Sequence, residues 1–500
     1  MTHNTMKYTL AAAALSVAAD AFADTVTLAE AGTLEQALSD KVATVTELSV
    51  SGPVNAADLY YLGQNAAKLT ALDLGDATIE AYRGTKKLHG FANYEAALIP
   101  AGAFGGTALK SVVLPLQEGL TIGAMAFANT SLTALPDLSR VAEVDDGAFT
   151  GCAGIVAVTW PAAKMGKNVF AGSGVQTVSF TADATALPAG TFSGCAALKS
   201  VAGSDKVTSI GDQAFENCAN LSVFAFSPAI TEVGAEAFRA TGLEKVELGS
   251  AALRSVGAFA FANCPALETV TLGGSAVELG EGIFFDDTAL TTVTLPSAAP
   301  ELSAFILKGA PKAVVEIPAT VKTIGKYALK DNTAIQKLTI PGNVTAIGDG
   351  AMENMTSLTD IEARTLTTVP ELGDQVWAGV DQSKVWLMVA DELHGQFMEA
   401  PQWRDFKVDW PSSGQDDIEV NKTDQHNLLA RFQGDVLELS APGAVIATVR
   451  LFDISGMLLA TVSGNGRDSL SIDTAPFANP FFVVNVTLDG GGTATLKLRR

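Results

Sequence analysis

The chain has 500 residues, 48% of them hydrophobic and 17% charged, with 46 glycines, a composition that buries a long apolar core and excludes an intrinsically disordered protein. Its 54 acidic against 32 basic side chains give a formal net charge of -22, so the average surface repels phosphate backbones and anionic headgroups, which argues against nucleic acid as a partner. Downstream of the N-terminus no run of roughly 18 apolar residues is present to span a membrane as a helix.

At the N-terminus Lys7 supplies a positive start, residues 8–19 are a short apolar stretch with Asp20 beside it, and Ala21-Phe22-Ala23 has the small-x-small form of a signal-peptidase site. Residues 1–23 therefore read as a signal peptide cleaved before Asp24, placing the protein outside the cell, secreted or on the outer surface. An amphipathic terminal helix is the alternative. Residues 24–99 read as an N-terminal cap. Leu48 and Leu72 occupy its first strand positions, with a helix over 55–67 between them. Residues 82–94 carry Arg83, Lys86, Lys87, His89 and Phe91, a basic and aromatic island in an acidic chain. It either contacts a ligand or covers the first strands as part of the cap, and the cap is the favoured reading.

From residue 100 to 363 the chain repeats. An apolar residue, usually Phe after a small residue, recurs as Phe104, Phe127, Phe149, Phe170, Phe192, Phe215, Phe238, Phe261, Phe284, Leu307, Leu329 and Met352, every interval being 21 to 23 residues. A second series runs in another phase: Val112, Leu135, Val158, Val178, Val201, Phe224, Val246, Val270, Val293, Val315, Leu338 and Ile361. Each of these sits in a short apolar/polar alternation such as Leu267-Glu-Thr-Val-Thr-Leu272, which reads as a strand with one buried face. One strand per unit is expected, followed by a turn-rich return such as Val207-Thr-Ser-Ile-Gly-Asp-Gln-Ala-Phe215. A unit this small cannot bury its own apolar side, so neighbouring copies must stack. The expected fold is a parallel β-solenoid of about 12 units of ~23 residues plus caps.

Residues 364–410 read as the closing segment of the solenoid, with a strand at Val385-Trp-Leu-Met-Val389 and apolar cover from Phe397, Trp403 and Phe406. Residues 411–421 are a polar linker. Residues 422–500 alternate as short strands over 436–439, 448–452, 458–462, 470–472, 481–486 and 494–498, which suggests a small antiparallel β-sandwich.

The units resemble the leucine-rich repeats of the BspA type, whose hallmark "LxxVxLPxxVxxIGxxAFxxC" is followed closely from Leu198 to Cys218. The resemblance implies a leucine-rich-repeat fold and an adhesive surface role, toward host matrix proteins or other bacteria. The tail resembles the C-terminal sorting domain of type IX secretion substrates, through Val449-Arg-Leu-Phe-Asp-Ile-Ser-Gly-Met-Leu-Leu459 and the basic ending Leu496-Lys-Leu-Arg-Arg500. Asn479-Pro-Phe-Phe482 stands where that family carries Gly-x-Tyr. This second resemblance implies a secretion machinery as partner through the tail.

Chemistry-bearing motifs are sparse. Cys152, Cys195, Cys218 and Cys264 each follow the Phe of their unit by three residues, on one line; they lack CxxC pairing for a metal. Buried free thiols are expected, with a Cys195–Cys218 disulfide as the alternative. His3, His89, His394 and His426 are scattered, and no GxSxG or GxxxxGK[ST] loop occurs, so no cofactor and no enzymatic activity are expected. The pairs Asp145-Asp146 and Asp286-Asp287 read as solvated turn residues, lacking the ligand spacing of calcium loops. Trp160, Phe180 and Phe226 fall at inward positions. The remaining surface is the outward side of the parallel strands. The side chains expected to meet a ligand there are Lys245, Glu247, Thr269, Thr271, Thr292, Thr294, Lys337 and Thr339. The partner class is a protein or glycan on a host or bacterial surface. A glycan- or nutrient-binding envelope component is the competing function, and it would show sugar-stacking aromatics.

Overall fold

The structure is a computed structural model that describes residues 22–181, 184–274, 277–408, 428–433, 435–441, 443–454, 456–479 and 481–499. The signal-peptide stretch up to residue 21, the linker 411–421, the start of the tail and Arg500 lie outside the described residues. Two units are distinguished: one from Met1–Thr359 with Pro370–Gln382, the other from Asp360–Val369 with Ser383–Arg500. Along the chain the solenoid makes about 17 turns of ~23 residues. The turns beyond the twelve repeats belong to the segments before and after them.

In the first unit, strands pair in parallel from turn to turn. Asp24–Thr27 pairs with Glu47–Val54, that strand with Ala71–Asp73, and that with Ser111–Val113. The strand at Asp24–Thr27 and the helix Leu34–Leu38 precede anything the pattern signalled. Later runs set Val158 beside Val178 and Val201, and Val246 beside Val270, Val293 and Val315. The expected strands at Leu135 and Phe224 do not form. At the first, Pro136 lacks the N–H a ladder needs; the turn is tied back by Thr133 N–H donating to Lys110 O at 3.0 Å. At the second, Phe224 and Phe226 occupy aliphatic positions and turn their rings edge-on against Phe238.

One strand per unit also proves too few. The Ile/Val-Gly segment of each return forms a second short parallel strand, stacking Ile99, Ile122, Val144 and Met165, then Leu187, Ile210, Val233, Val256 and Leu279, then Leu302, Ile324, Ile347 and Leu372. Two residues are too short for alternation to register as a strand. The turn that follows is bonded as well: Phe104 N–H donates to Ala126 O at 2.8 Å, Phe127 to Ala148 O at 2.9 Å, and so on. Positive φ on both sides of the small-Phe pair, as at Gln213 (58°) and Asn217 (59°), lets the turn aim these groups at its neighbours.

Inside, the rings from Phe104 to Phe284 form one column, each stacked on the next with centroids 5.1–6.1 Å apart and planes within 4–18°. Leu307, Leu329 and Met352 continue it, fully buried. At the N-terminal end the helix Ala56–Asn65 starts on a capping box between Asn55 and Asp58. The buried Asp58 carboxylate also accepts from Gly32 N (2.6 Å) and Leu34 N (2.9 Å), fastening the first strand and helix to the second helix. Gly63 is needed where this helix passes the next turn, because a Cβ would collide with the Ala103 carbonyl. Residues 82–94 fold as an antiparallel hairpin, Tyr82–Leu88 with Phe91–Tyr94.

In the second unit, Asp360–Ala363, Trp386–Val389 and Lys407–Val408 pair in parallel, and Phe397, Trp403 and Phe406 pack together. The tail forms two antiparallel sheets. One orders Leu429–Gln433, Val436–Ser440 and Ser469–Asp473; the other orders Leu458–Arg467, Ile446–Phe452, Phe481–Leu488 and Thr493–Arg499. They share a core that includes Leu437, Leu439, Val449, Leu451, Phe482, Val484 and Leu496. Among the described residues of the tail, the strand Leu429–Gln433 is the one element that the sequence pattern does not signal.

The ring column gives a direct test. Phe192→Ala should lower unfolding stability by about 3–5 kcal/mol, whereas Phe192→Leu, which restores what Leu307 and Leu329 already do, should lose less than about 1.5 kcal/mol. Urea unfolding of both variants measures the difference.

Candidate binding surface

The outward strand face comes together over four turns, Lys245–Leu248, Thr269–Leu272, Thr292–Thr294 and Val314–Val315. Register sets Lys245, Thr269, Thr292 and Val314 in one column and Glu247, Thr271 and Thr294 in a second. Between these columns Val246, Val270 and Val293 point inward and are buried, as strand alternation requires. Lys245 Nζ and Glu247 Oε1 pair at 2.6 Å at the edge of the hydroxyl field. All of these outward residues are exposed except Thr269, which is half-buried. Lys337 and Thr339 are exposed too, but their strand is not hydrogen-bonded to Val314–Val315. Six of the eight expected residues thus form one surface and two stand apart from it.

The thiols are withdrawn from that surface. All four cysteines are free and buried. Each thiol donates to the Phe carbonyl of the preceding turn: Cys152 to Phe127 O and Cys195 to Phe170 O at 3.1 Å, Cys218 to Phe192 O and Cys264 to Phe238 O at 3.2 Å. Thr130 and Thr241, in the same column, bond the Phe carbonyl of their own turn. Burial pushes all four thiols up, Cys264 to about 12 with Asp287 as the second cause, so thiolate is scarce at neutral pH. Among the described residues no group of three or more His, Cys, Asp or Glu side chains could hold a metal ion, and no helix is long and apolar enough to cross a membrane.

Asp287 departs from the expected solvated turn residue. Asp286 beside it is exposed, with φ 58°, but Asp287 occupies the Cys/Thr column and is fully buried. Its Oδ1 accepts from Cys264 N–H at 2.7 Å, while Oδ2 has no hydrogen-bond partner among the described residues. Burial holds its carboxyl well above the usual carboxylate range, against the lowering effect of the Cys264 bond.

A lysine-aromatic ridge escaped sequence reading. Phe259, Phe305 and Tyr327 take the left-handed turn position (φ 55°, 57° and 54°), where other turns place Gly, Asn, Gln, Glu or Met; bulky residues rarely tolerate it. Phe305 and Tyr327 stack at 5.5 Å, Lys308 lies over Phe285 (4.9 Å), Lys326 over Phe305 (5.1 Å) and Lys330 over Tyr327 (5.1 Å). The signal was present as Phe or Tyr three residues after Ile/Val/Leu-Gly or Leu-Ser, but its meaning depends on the turn's φ. Phe305 and Tyr327 stack on each other and under ammonium groups, and Phe259 meets Phe285 edge-on at 5.9 Å.

The repeats match the family described as BspA type Leucine rich repeat region, over residues 97–165, 163–287 and 254–380, in six copies. Among solved structures, a leucine-rich repeat protein from Bacteroides ovatus is similar at 20% identity, covering 73% of this chain and 84% of that one, with a TM-score of 0.52. A leucine rich cell surface protein from Faecalibacterium prausnitzii matches at 21% identity over 68% of this chain and 82% of its own, with a TM-score of 0.33. At these identities the likeness concerns the fold. No curated protein matches the chain.

Asp287 yields a pH prediction with a definite sign. Its folded pKa is raised, so its stabilisation is complete below the ordinary carboxylate value of about 3.9 and is lost as pH rises through the raised one. Asp287→Asn, neutral throughout, should gain stability relative to the parent chain as pH climbs through that window. Denaturant unfolding at several pH values measures the gap, and a pH-independent gap would show the carboxyl to be ordinary.

Proposed function

Because the chain belongs to the BspA-type leucine-rich-repeat family, we propose that it is a secreted or surface-displayed bacterial interaction protein whose repeat array holds out a polar face to a protein or glycan on host or bacterial cells. The observation that carries this reading is the register of the outward columns. Lys245, Thr269 and Thr292 line up beside Glu247, Thr271 and Thr294, on strands whose inward side chains are locked in the core. Side chains fixed in this way meet a ligand with little further ordering. The face lacks Trp, Tyr and Arg anchors, so binding is the sum of modest contacts and gains from many copies acting together, as adhesion requires. Buried thiols with raised pKa leave no accessible nucleophile of that type and fit a non-enzymatic role.

In this reading the signal peptide of residues 1–23 starts export and residues 422–500 are the address for a type IX machinery. The support is the hairpin of Ile446–Phe452 and Leu458–Arg467, whose turn is held by Asp453 Oδ1 accepting from Met457 N–H at 2.8 Å.

Two measurements test the proposal. A panel of extracellular-matrix proteins and glycans should yield a ligand for the chain, and Thr271→Arg with Thr294→Arg should weaken it about tenfold or more; undiminished binding would assign the ligand to another surface. Deleting residues 422–500 should keep the protein from reaching the cell surface or the medium, and normal arrival of the truncated chain outside would end the address reading.

A further inference from the structure

The hairpin at residues 82–94 interrupts the repeat. Leu72 and Val112, neighbouring strand centres, lie 40 residues apart, against 20 to 24 for the other centres from Leu48 to Ile361. Insertions in solenoids gather on one face and often carry binding.

One side of this hairpin is occupied by its own anchoring. Tyr94 is buried and its hydroxyl donates to Leu88 O at 2.6 Å, while the Tyr82 hydroxyl donates to Lys86 O at 2.8 Å. From the helix beneath, Tyr60 stacks on His89 at 4.2 Å and donates to Ala101 O, and Gln64 Nε2 meets His89 Nε2 at 3.0 Å. Arg83 donates to Tyr94 O and pairs with Glu95 at 2.8 Å. Arg83 and His89, half of the island's basic side chains, are thus spent on holding the hairpin in place.

Elsewhere the hairpin is open, although the Phe91 ring meets Tyr94 edge-on at 6.2 Å. Thr85, Lys86, Lys87 and Asn93 are exposed, and the Phe91 ring is 65% exposed. Neither lysine has an ion-pair partner among the described residues. Among the described residues the strand Tyr82–Leu88 pairs in a sheet only with Phe91–Tyr94, so its outer edge has no strand partner and can take an added extended segment. Lysines on an edge can serve simply to discourage edge pairing. Protection of that kind has no use for an exposed Phe, which is what a partner would cover.

We propose that the outer side of this hairpin docks an extended acidic polypeptide segment, with carboxylates at Lys86 and Lys87 and an apolar side chain over Phe91. Charge complementarity supports it: the same hairpin carries an exposed ring and two lysines without an ion-pair partner among the described residues, on a chain of net charge -22. A polyanionic glycan would use the lysines and leave Phe91 wet, whereas a polypeptide supplies carboxylates, an apolar group and main-chain hydrogen bonds together. The hairpin is pre-ordered by Tyr82, Tyr94 and Tyr60, which keeps the entropy loss on its side small. None of these residues belongs to the sheet face, so this proposal and the sheet-face reading can fail separately.

The experiment uses the full chain and a fluorescent Glu-rich peptide with a central Leu-Phe pair, followed by anisotropy at low salt, with a heparin oligosaccharide in parallel. The peptide should bind, and Lys86→Glu with Lys87→Glu should weaken it at least tenfold. Phe91→Ala should weaken it severalfold, and replacing the peptide's Leu-Phe by Ser-Ser should cause a similar loss that Phe91→Ala no longer deepens. Thr271→Arg with Thr294→Arg should leave peptide binding unchanged. Absence of peptide binding, or binding indifferent to the lysine changes, overturns the proposal. So does heparin binding as tightly as the peptide with no dependence on Phe91.

Discussion

Each turn of this chain is completed by the next one. Most repeat turns have two strands of two to four residues and a tight bend, and none of the three can satisfy its own backbone or cover its own apolar side. Stacking repairs both defects together. Parallel strand pairs absorb N–H and C=O groups at two places per turn, the bend adds a third set, as from Phe192 N to Ala214 O, and the Phe rings lie one on another at about the same spacing. Stacked rings contribute beyond their burial, about 0.5–1.5 kcal/mol a pair. Small per turn, the gain is repeated along the whole column.

That dependence explains where chemistry is found and where it is not. In the inward column that follows each Phe by three residues, small polar groups meet a Phe carbonyl: thiol at Cys152 and Cys195, hydroxyl at Thr130 and Thr241. Asp287 fits the space but brings a second oxygen with no hydrogen-bond partner among the described residues, and burial of its carboxyl is why its proton is held. Outward columns carry no such constraint. Thr271 and Thr294 can vary without disturbing a neighbour, which frees that face for recognition. Where the period itself is broken, between Leu72 and Val112, the extra chain forms a hairpin.

The repeat, its phase and the parallel stacking were legible in the residues because a Phe every 21 to 23 positions has no other physical use than to meet its copies. The tail was legible for the same kind of reason, since alternation over five or more residues has one packing solution. Two-residue strands at Ile/Val-Gly were not, because alternation needs length to show. The breaks at Leu135 and Phe224 came from Pro136 and from oversized rings, local exceptions inside a correct period.

What the sequence alone determined, then, is which residues face inward in each turn and that the turns stack in parallel, since burial and spacing are properties of composition along the chain. Only the tertiary structure decided which outward residues become neighbours. Thr269 and Thr292 were joined while Lys337 was set apart, Asp287 was buried beside an exposed Asp286, and Phe305, Tyr327 and Lys308 were gathered into a ridge. Such neighbourhoods depend on hydrogen-bond register and on backbone φ, which the order of residues constrains but does not spell out.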